Sequence, residues 1–254
     1  MRLDHVVINV RADMDVAEVA FRDLAFTVTP RGYHTLGSIN HLMIFETDYL
    51  ELIGIPAGGE TRRADLLTAP LGINGLVFKS EDVDVTFNNL RELGMDGEPP
   101  RSFSRPVEVN QKTVDAKFRT VSVRPDVFPE GRVYFCEHVT PELVWRKEWQ
   151  NHKNKTTAVT EIVVVTNNVA ETATDYANLV NSKAEIQSND LAAILTDDVL
   201  LTIYSPERYR DRYGEASLDL GDRGSMFGAL VFKSKEKSNV MRLANYDALL
   251  EFKN

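Results

Sequence analysis

The stretch LDHVVINV (Leu3–Val10) decides the fold, because its β-branched apolar residues predict a strand close to the start of the chain. Side chains alternate between the two faces of a strand. The predicted faces are Val6, Ile8 and Val10 on one side, and Leu3, His5, Val7 and Asn9 on the other. A face that carries both His5 and Asn9 indicates a pocket rather than a dry core.

The pattern around this strand recurs along the chain. Similar stretches begin at Ile73, Val159 and Phe227, each with an apolar run, a polar turn and a helical pattern. Further strand-like runs follow, such as HLMIFE (41–46) and YLELIGI (49–55) in the first unit. The unit therefore reads strand, helix, then two or three strands, and predicts an α+β fold. Chance recurrence of strand–helix pairs is the alternative, but LVFKS occurs at both 76–80 and 230–234.

The repeat predicts two domains of two modules each. Residues 1–155 contain modules at about 1–56 and 73–148, and residues 156–254 contain a degenerate pair at about 157–205 and 226–254. The helical stripe of the first module is predicted to be Val16, Val19, Ala20 and Leu24. The fourth module has the weakest helical pattern, with only Val240, Leu243 and Ala244.

Composition restricts the partners of the protein. The formal net charge is −9 and no long run of Lys and Arg occurs, which argues against nucleic acid or an anionic membrane as partner. Cys136 is the only cysteine, so no internal disulfide can form, and we expect a small buried hydrophobe rather than a catalytic thiolate. The N-terminus lacks a signal-peptide pattern. We expect a cytoplasmic protein with a small-molecule substrate, and a homodimer is compatible with the sequence.

Three strands each place one good metal ligand on a pocket face. YLELIGI puts Glu51 opposite its packing residues, and RVYFCEH (132–138) puts His138 on the face of Tyr134 and Cys136. With His5, this gives two imidazoles and one carboxylate, a set that suits Fe, Mn, Zn or Ni as a divalent ion and leaves positions open for substrate.

Each of these ligands has another interpretation. His5 could be an ordinary buried histidine hydrogen-bonded to Tyr49, and His138 could lie on an exposed strand end. Glu137 is an alternative third ligand, although its side chain is expected on the other strand face. Glu51 is the hardest of the three to explain without a functional role, because burying a carboxylate without a partner costs several kcal/mol.

These motifs together resemble the glyoxalase-like domain of the vicinal oxygen chelate superfamily. The similar segments are LDHVVINV, RGYHTLGSINHLMIF (31–45), YLELIGI and HVTPELVWR (138–146). The resemblance implies paired βαβββ modules that form half-open mixed β-barrels with flanking helices around one divalent metal ion. It also implies metal ligands on the first and last strands of each module. Gly75 occupies one of those places, so the sequence departs from the four-ligand arrangement of glyoxalase I.

The resemblance also implies roles for residues around the metal. Predicted catalytic residues are His34 and Glu51, and predicted substrate-binding residues are Asn9, Asn40, Tyr49, Arg105 and Arg119. The two arginines could hold an anionic substrate in bidentate fashion. The implied function is a metal-dependent lyase, isomerase or dioxygenase acting on a small oxygenated substrate. The alternative is a non-catalytic protein that binds a small molecule in the barrel groove and confers resistance.

The second module pair is predicted to be structural. Glu161 stands where His5 stands, Ala229 offers no ligand, and Glu251 echoes Glu51. Two carboxylates without an imidazole make a poor transition-metal site.

Overall fold

The computed structural model describes residues 1–58, 63–236, 238–243 and 245–254. The chain forms two mixed β-sheets with helices on their flanks. The first sheet contains β1 Leu3–Arg11, β2 Gly32–Tyr33, β3 Ile39–Ile44, β4 Tyr49–Gly54, β5 Gly72–Lys79, β6 Arg101–Val109, β7 Lys112–Ser122 and β8 Arg132–His138. The second contains β9 Thr156–Thr166, β10 Ala184–Ser188, β11 Leu191–Leu195, β12 Leu200–Tyr204, β13 Ser225–Ser234, β14 Asn239–Leu243 and β15 Ala248–Lys253. The helices are α1 Met14–Asp23, α2 Ala64–Thr68, α3 Val83–Glu92, α4 Val169–Leu179 and α5 Pro206–Tyr213.

Both sheets have the same strand order, except that the second has seven described strands and the first has eight. The first has the order β2-β3-β4-β1-β5-β8-β7-β6, and the second has β10-β11-β12-β9-β13-β15-β14. Within each module the first strand runs parallel to the last, as β1 does to β4, and the first strands of paired modules, β1 and β5, are antiparallel. The prediction of an α+β fold is confirmed. The first three modules have the βαβββ order, whereas in the fourth the described elements are the strands β13, β14 and β15.

The first sheet curls until its two edges meet. The Thr35 amide, just after β2, donates a hydrogen bond to the Ser104 carbonyl on β6 at 2.9 Å, and the Ser104 amide donates to Thr35 Oγ1 at 3.1 Å. This contact nearly closes a barrel around the inner face of the sheet. The second sheet has no strand in the place of β6 among the residues that the structure describes.

One hydrophobic core joins the outer faces of both sheets. Phe26, after α1, packs against Phe45 from the first sheet and against Phe232 and Phe252 from the second, with ring centroids 6.0–6.3 Å apart. All four rings are buried. Burial of this much aromatic surface ties the two halves together. The division into domains 1–155 and 156–254 stays a prediction.

Two predictions about helices are wrong. In α1 the buried residues are Met14, Ala17 and Phe21, whereas Val16 and Val19 are 52% and 59% exposed. The stripe that faces the core contains Met14 and Phe21, whose side chains are larger than those of the two valines. In the fourth module, Val240 and Leu243 lie on strand β14, which pairs with β15; Ala244 lies outside the described residues.

A further helix, α5, was not predicted, and it packs on the inner face of the second sheet through Tyr209 and Tyr213. Across the described ranges, none of the helices has the length and apolar character needed to cross a bilayer.

Candidate functional site

A cavity of about 650 Å³ lies inside the curled first sheet. Strands β1, β3, β4, β6 and β8 all contribute side chains to its wall. Of the predicted site residues, the lining includes His5, His34, Asn40, Tyr49, Glu51 and Arg105. Side chains alternate between the two faces of β1 and β4. The lining residues point into the cavity, and the residues next to them along each strand point into the core that the two sheets share.

A β-bulge near the start of β1 brings an unexpected carboxylate beside His5. The pairing of β1 with β5 shifts register between Leu3 and His5, so the strict alternation of faces is interrupted there. As a result, Asp4 Oδ1 lies 2.6 Å from His5 Nδ1 and 3.0 Å from His138 Nε2. Burial alone would raise the pKa of Asp4, but the two imidazoles outweigh it and hold that pKa well below its usual range.

His5 presents its other nitrogen to the cavity. In the neutral tautomer that donates from Nδ1 to the Asp4 carboxylate, the lone pair of the imidazole is on Nε2, which faces the cavity. Nε2 lies 3.5 Å from Glu51 Oε2 and 3.2 Å from the Tyr134 hydroxyl. The Tyr49 ring stacks on the imidazole at 4.3 Å and fixes its plane. An imidazole and a carboxylate therefore face the same point.

A hydrogen-bonded chain holds Glu51 from the other side. Asn40 Nδ2 donates to Glu51 Oε1 at 2.6 Å and lies 3.3 Å from His34 Nε2, while His34 Nδ1 is 2.9 Å from Ser38 Oγ. Burial, assisted by nearby Arg105 and Arg63 and opposed by Glu51, lowers the pKa of His34 to about 4. His34 is therefore a neutral imidazole near pH 7 and orients Asn40.

His138 does not join His5 and Glu51. Its Nε2 is taken by Asp4, and its ring packs 4.6 Å from Trp145 and 5.1 Å from Phe118. Among the described residues, the group of three His, Cys, Asp or Glu side chains with ligand atoms all within 4.8 Å of one another is Asp4, Cys136 and His138. The predicted set of His5, Glu51 and His138 is thus not assembled, because the bulged Asp4 lies between the two histidines.

The Asp4–Cys136–His138 group is itself a weak ligand set. Burial, together with the nearby carboxylates, raises the pKa of the Cys136 thiol well above its usual value, so the sulfur stays protonated. Asp4 is already shared between two imidazoles. Cys136 is 2% exposed, which agrees with the expected buried hydrophobe.

The remaining predicted residues have different positions. Asn9 is fully buried and donates to the carbonyls of Leu66 and Pro70, so it fixes the segment before β5. Arg119 pairs with Asp84 at 2.8 Å and lies outside the cavity lining. Glu137 Oε2 accepts from the Val83 amide at the start of α3, on the other strand face as expected.

Sequence reasoning missed several cavity residues. Asp4 depends on the bulge, for which the sequence gives no signal. Tyr134 lies on the predicted pocket face of β8, so its role could have been found by the same alternation that located Cys136. Arg132 and Arg63 also line the cavity. In the sequence, an arginine at the start of a strand or in a loop cannot be distinguished from an ordinary exposed charge.

The equivalent place in the second half is filled by an arginine. Strand register puts Glu161 at the position of His5, Thr202 at that of Glu51 and Glu251 at that of Tyr134. Arg212 of α5 lies between the carboxylates, with Nη2 2.9 Å from Glu161 Oε2 and 2.8 Å from Glu251 Oε2. Within its own module, Glu251 pairs with Val231, two residues after Ala229, just as Glu51 pairs with Val7, two residues after His5. The register therefore agrees with the expectation that Glu251 echoes Glu51.

Comparisons with known proteins agree with this architecture. The family model described as "Glyoxalase-like domain" matches residues 3–180. Among curated proteins, no sequence matches the chain. A hypothetical protein from Staphylococcus aureus is similar in structure with a TM-score of 0.76, 12% identity, and coverage of 99% of this chain and 98% of that one.

A triple mutant of 4-hydroxymandelate synthase from Streptomyces coelicolor is also similar. Its TM-score is 0.55 at 16% identity, with coverage of 92% of this chain and 71% of that one. At these identities the structural likeness shows the fold alone. The family match spans more than half of the sequence, and the protein therefore belongs to the glyoxalase-like domain family.

Proposed function

We propose that this protein is a divalent-metal-dependent enzyme of the vicinal oxygen chelate type, with His5 and Glu51 as the metal ligands. Its substrate is a small oxygenated molecule that enters the cavity of the first sheet, and its reaction is of the lyase, isomerase or dioxygenase class. The observation that carries the proposal is the 3.5 Å approach of His5 Nε2 to Glu51 Oε2 at the cavity wall.

The chemistry of the donor pair fits a divalent ion in part. An imidazole with its lone pair free and a carboxylate are both good ligands for Zn, Mn, Fe or Ni. Two ligands of one ion, each about 2.0–2.2 Å from it, lie about 3–3.5 Å apart. His138, the third predicted ligand, does not fit, so substrate oxygens and water would supply the other positions.

The protein groups around this pair have separate tasks. A metal ion bound there would act as a Lewis acid toward substrate oxygens. Asn40 keeps one oxygen of Glu51 hydrogen-bonded, which leaves the other free to face His5. The Tyr134 hydroxyl, whose pKa burial raises well above its usual value, stays protonated and can donate to a substrate oxyanion.

His34 was predicted to transfer a proton. His34 does not contact Glu51 directly, because Asn40 lies between the two side chains. Proton transfer by His34 would require a substrate atom or a water molecule to reach Nε2, so we assign Glu51 as the group that accepts a substrate proton.

Elemental analysis of protein purified without chelator tests the proposal. We expect near-stoichiometric divalent metal in the wild type, loss of that metal in His5→Ala and Glu51→Ala, and retention in the matched control His138→Gln. Metal-free wild-type protein whose thermal stability ignores added Zn, Mn, Fe and Ni would contradict the enzyme assignment. That outcome would favour a protein that only binds a ligand in its cavity.

A further inference from the structure

Two arginines in the cavity lack the partners that buried charges normally have. Arg105, on β6, is 3% exposed, and its Nη2 has no hydrogen-bond partner. The Nε and Nη2 atoms of Arg132, at the start of β8, are likewise buried and without a partner. Neither guanidinium forms a hydrogen bond or ion pair with any residue in the ranges that the structure describes. Both line the same cavity.

Other cavity arginines show the usual arrangement. Arg63 pairs with Asp65 at 2.7 Å, and Arg124 pairs with Asp126 at 2.8 Å. The guanidinium group stays charged in proteins, and leaving it desolvated and unpaired is unfavourable to folding. Two such groups in a protein with a formal net charge of −9 indicate that the missing partner is a ligand rather than a protein side chain.

The backbone is built to let Arg105 approach the centre. A Cβ atom at Gly32 would lie 3.1 Å from Arg105 Nη1 and 2.2 Å from Asn40 Oδ1. Only glycine at this position allows Arg105 to lie beside Asn40, which is itself bonded to Glu51. Asn40 Oδ1 is also buried without a partner, so a hydroxyl donor on a ligand could bond to it.

We propose that the cavity binds an organic anion, and that Arg105 and Arg132 are the counter-ions that hold its carboxylate or phosphate group. This inference deepens the proposed function by naming the substrate class of the same cavity. Arg105 was predicted to bind substrate; Arg132 is a new member of the site. The apolar body of the ligand would contact the aromatic wall formed by Phe103, Phe118 and Phe128.

Thermal shift measurements with matched ligands test the inference. The probes are 3-phenyllactate, phenyl phosphate and the neutral 3-phenyllactamide, each added to the full-length protein in chloride-free, low-salt buffer. We expect at least one anion to raise the melting temperature by about 3 °C or more at millimolar concentration, with a much smaller shift for the amide. The larger of the two anion shifts identifies carboxylate or phosphate as the preferred group.

Variants show whether the arginines are responsible. We expect the Arg105→Met/Arg132→Met double variant to bind the anion at least about tenfold more weakly, because two charge-assisted contacts are lost. The surface variant Arg91→Met should bind it like the wild type. Without ligand, Arg105→Met should melt at a higher temperature than the wild type, since an unpaired buried charge is removed.

Two results would overturn the inference. One is that neither anion raises the melting temperature more than the amide does, and the other is that the double variant binds the anion with wild-type affinity. His5→Ala separates this inference from the metal site. Suppose that the wild-type protein holds no metal and that His5→Ala binds the anion like the wild type. The metal-dependent function would then be wrong, whereas the anion site would be supported.

Discussion

At the scale of single residues, Asp4 decides what His5 can do. The carboxylate accepts a hydrogen bond from Nδ1–H, so the lone pair of the imidazole is on Nε2, which faces the cavity. Such a carboxylate behind a histidine ligand fixes the tautomer and ring orientation and raises the basicity of the imidazole. Asp4 therefore positions His5 and touches no substrate.

Asp4→Asn should weaken divalent metal binding by about 10- to 100-fold, since the amide cannot fix the Nδ1–H tautomer. Titration calorimetry with Mn²⁺ measures this, with Asp126→Asn as the control because that carboxylate pairs with exposed Arg124. Equal Mn²⁺ affinity in Asp4→Asn and wild type would remove Asp4 from the site.

His34 gives a second test at this scale through pH. Its pKa is about 4 in the fold against an ordinary value of 6.5, so the unfolded state binds the proton more tightly. Stability from this group is complete above about pH 6.5 and is lost as the pH falls toward 4.

His34→Gln should therefore lose about 2 kcal/mol less unfolding free energy than the wild type between pH 7 and pH 5. Urea denaturation at both pH values measures the difference. Asp48, whose pKa burial raises to about 7, acts in the opposite direction but is present in both proteins. Identical pH dependence in the two proteins would show that His34 is not held neutral.

The sequence predicted part of this site. Alternation placed His5 and Glu51 on pocket faces, and both line the cavity. It also placed His138 on the inner face of β8, but face alone does not give distance, and Asp4 separates that ring from Glu51. The bulge that turns Asp4 inward is a register property of two strands, which a single sequence does not reveal.

At the scale of elements, strands were predicted better than helices. The predicted range 132–138 is β8, and 49–55 differs from β4 by one residue. A run of apolar β-branched residues predicts a buried strand directly. A helical segment can contain more than one apolar stripe, so its sequence does not determine which stripe is buried. In α1 the stripe of Met14, Ala17 and Phe21 faces the core, so the valines of the competing stripe face solvent.

Paired substitutions in α1 test which stripe is buried. Val16→Glu should change the unfolding free energy by less than about 0.5 kcal/mol, because its side chain is exposed. Ala17→Glu should lower it by about 3 kcal/mol or more, because a carboxylate enters the core without a partner. Urea denaturation compares the two, and a larger loss for Val16→Glu would reverse the orientation of the helix.

At the scale of the whole molecule, two related halves have diverged in one respect. The first barrel keeps an open cavity, whereas α5 inserts Arg212 between Glu161 and Glu251 in the second. The ion pairs hold the pKa of Glu161 below its usual range despite burial. The structural role of the second half stays a prediction, and these ion pairs are the observation that supports it.

Arg212→Met should destabilise the protein by about 3 kcal/mol, because two partly buried carboxylates lose their shared partner. Metal content and anion binding in the first half should stay at wild-type values. Denaturation and the thermal shift assay measure the two effects, with surface Arg208→Met as the control. Loss of anion binding in Arg212→Met would show that the second half takes part in the site.

The most direct test of the central claim counts the imidazoles bound to the metal. Electron spin-echo spectroscopy of Cu²⁺-loaded protein reports the remote nitrogen of each coordinated histidine. The account predicts one imidazole, lost in His5→Ala and retained in His138→Gln. A signal that persists in His5→Ala, or that disappears in His138→Gln, would contradict the assignment of His5 and Glu51 as the metal ligands.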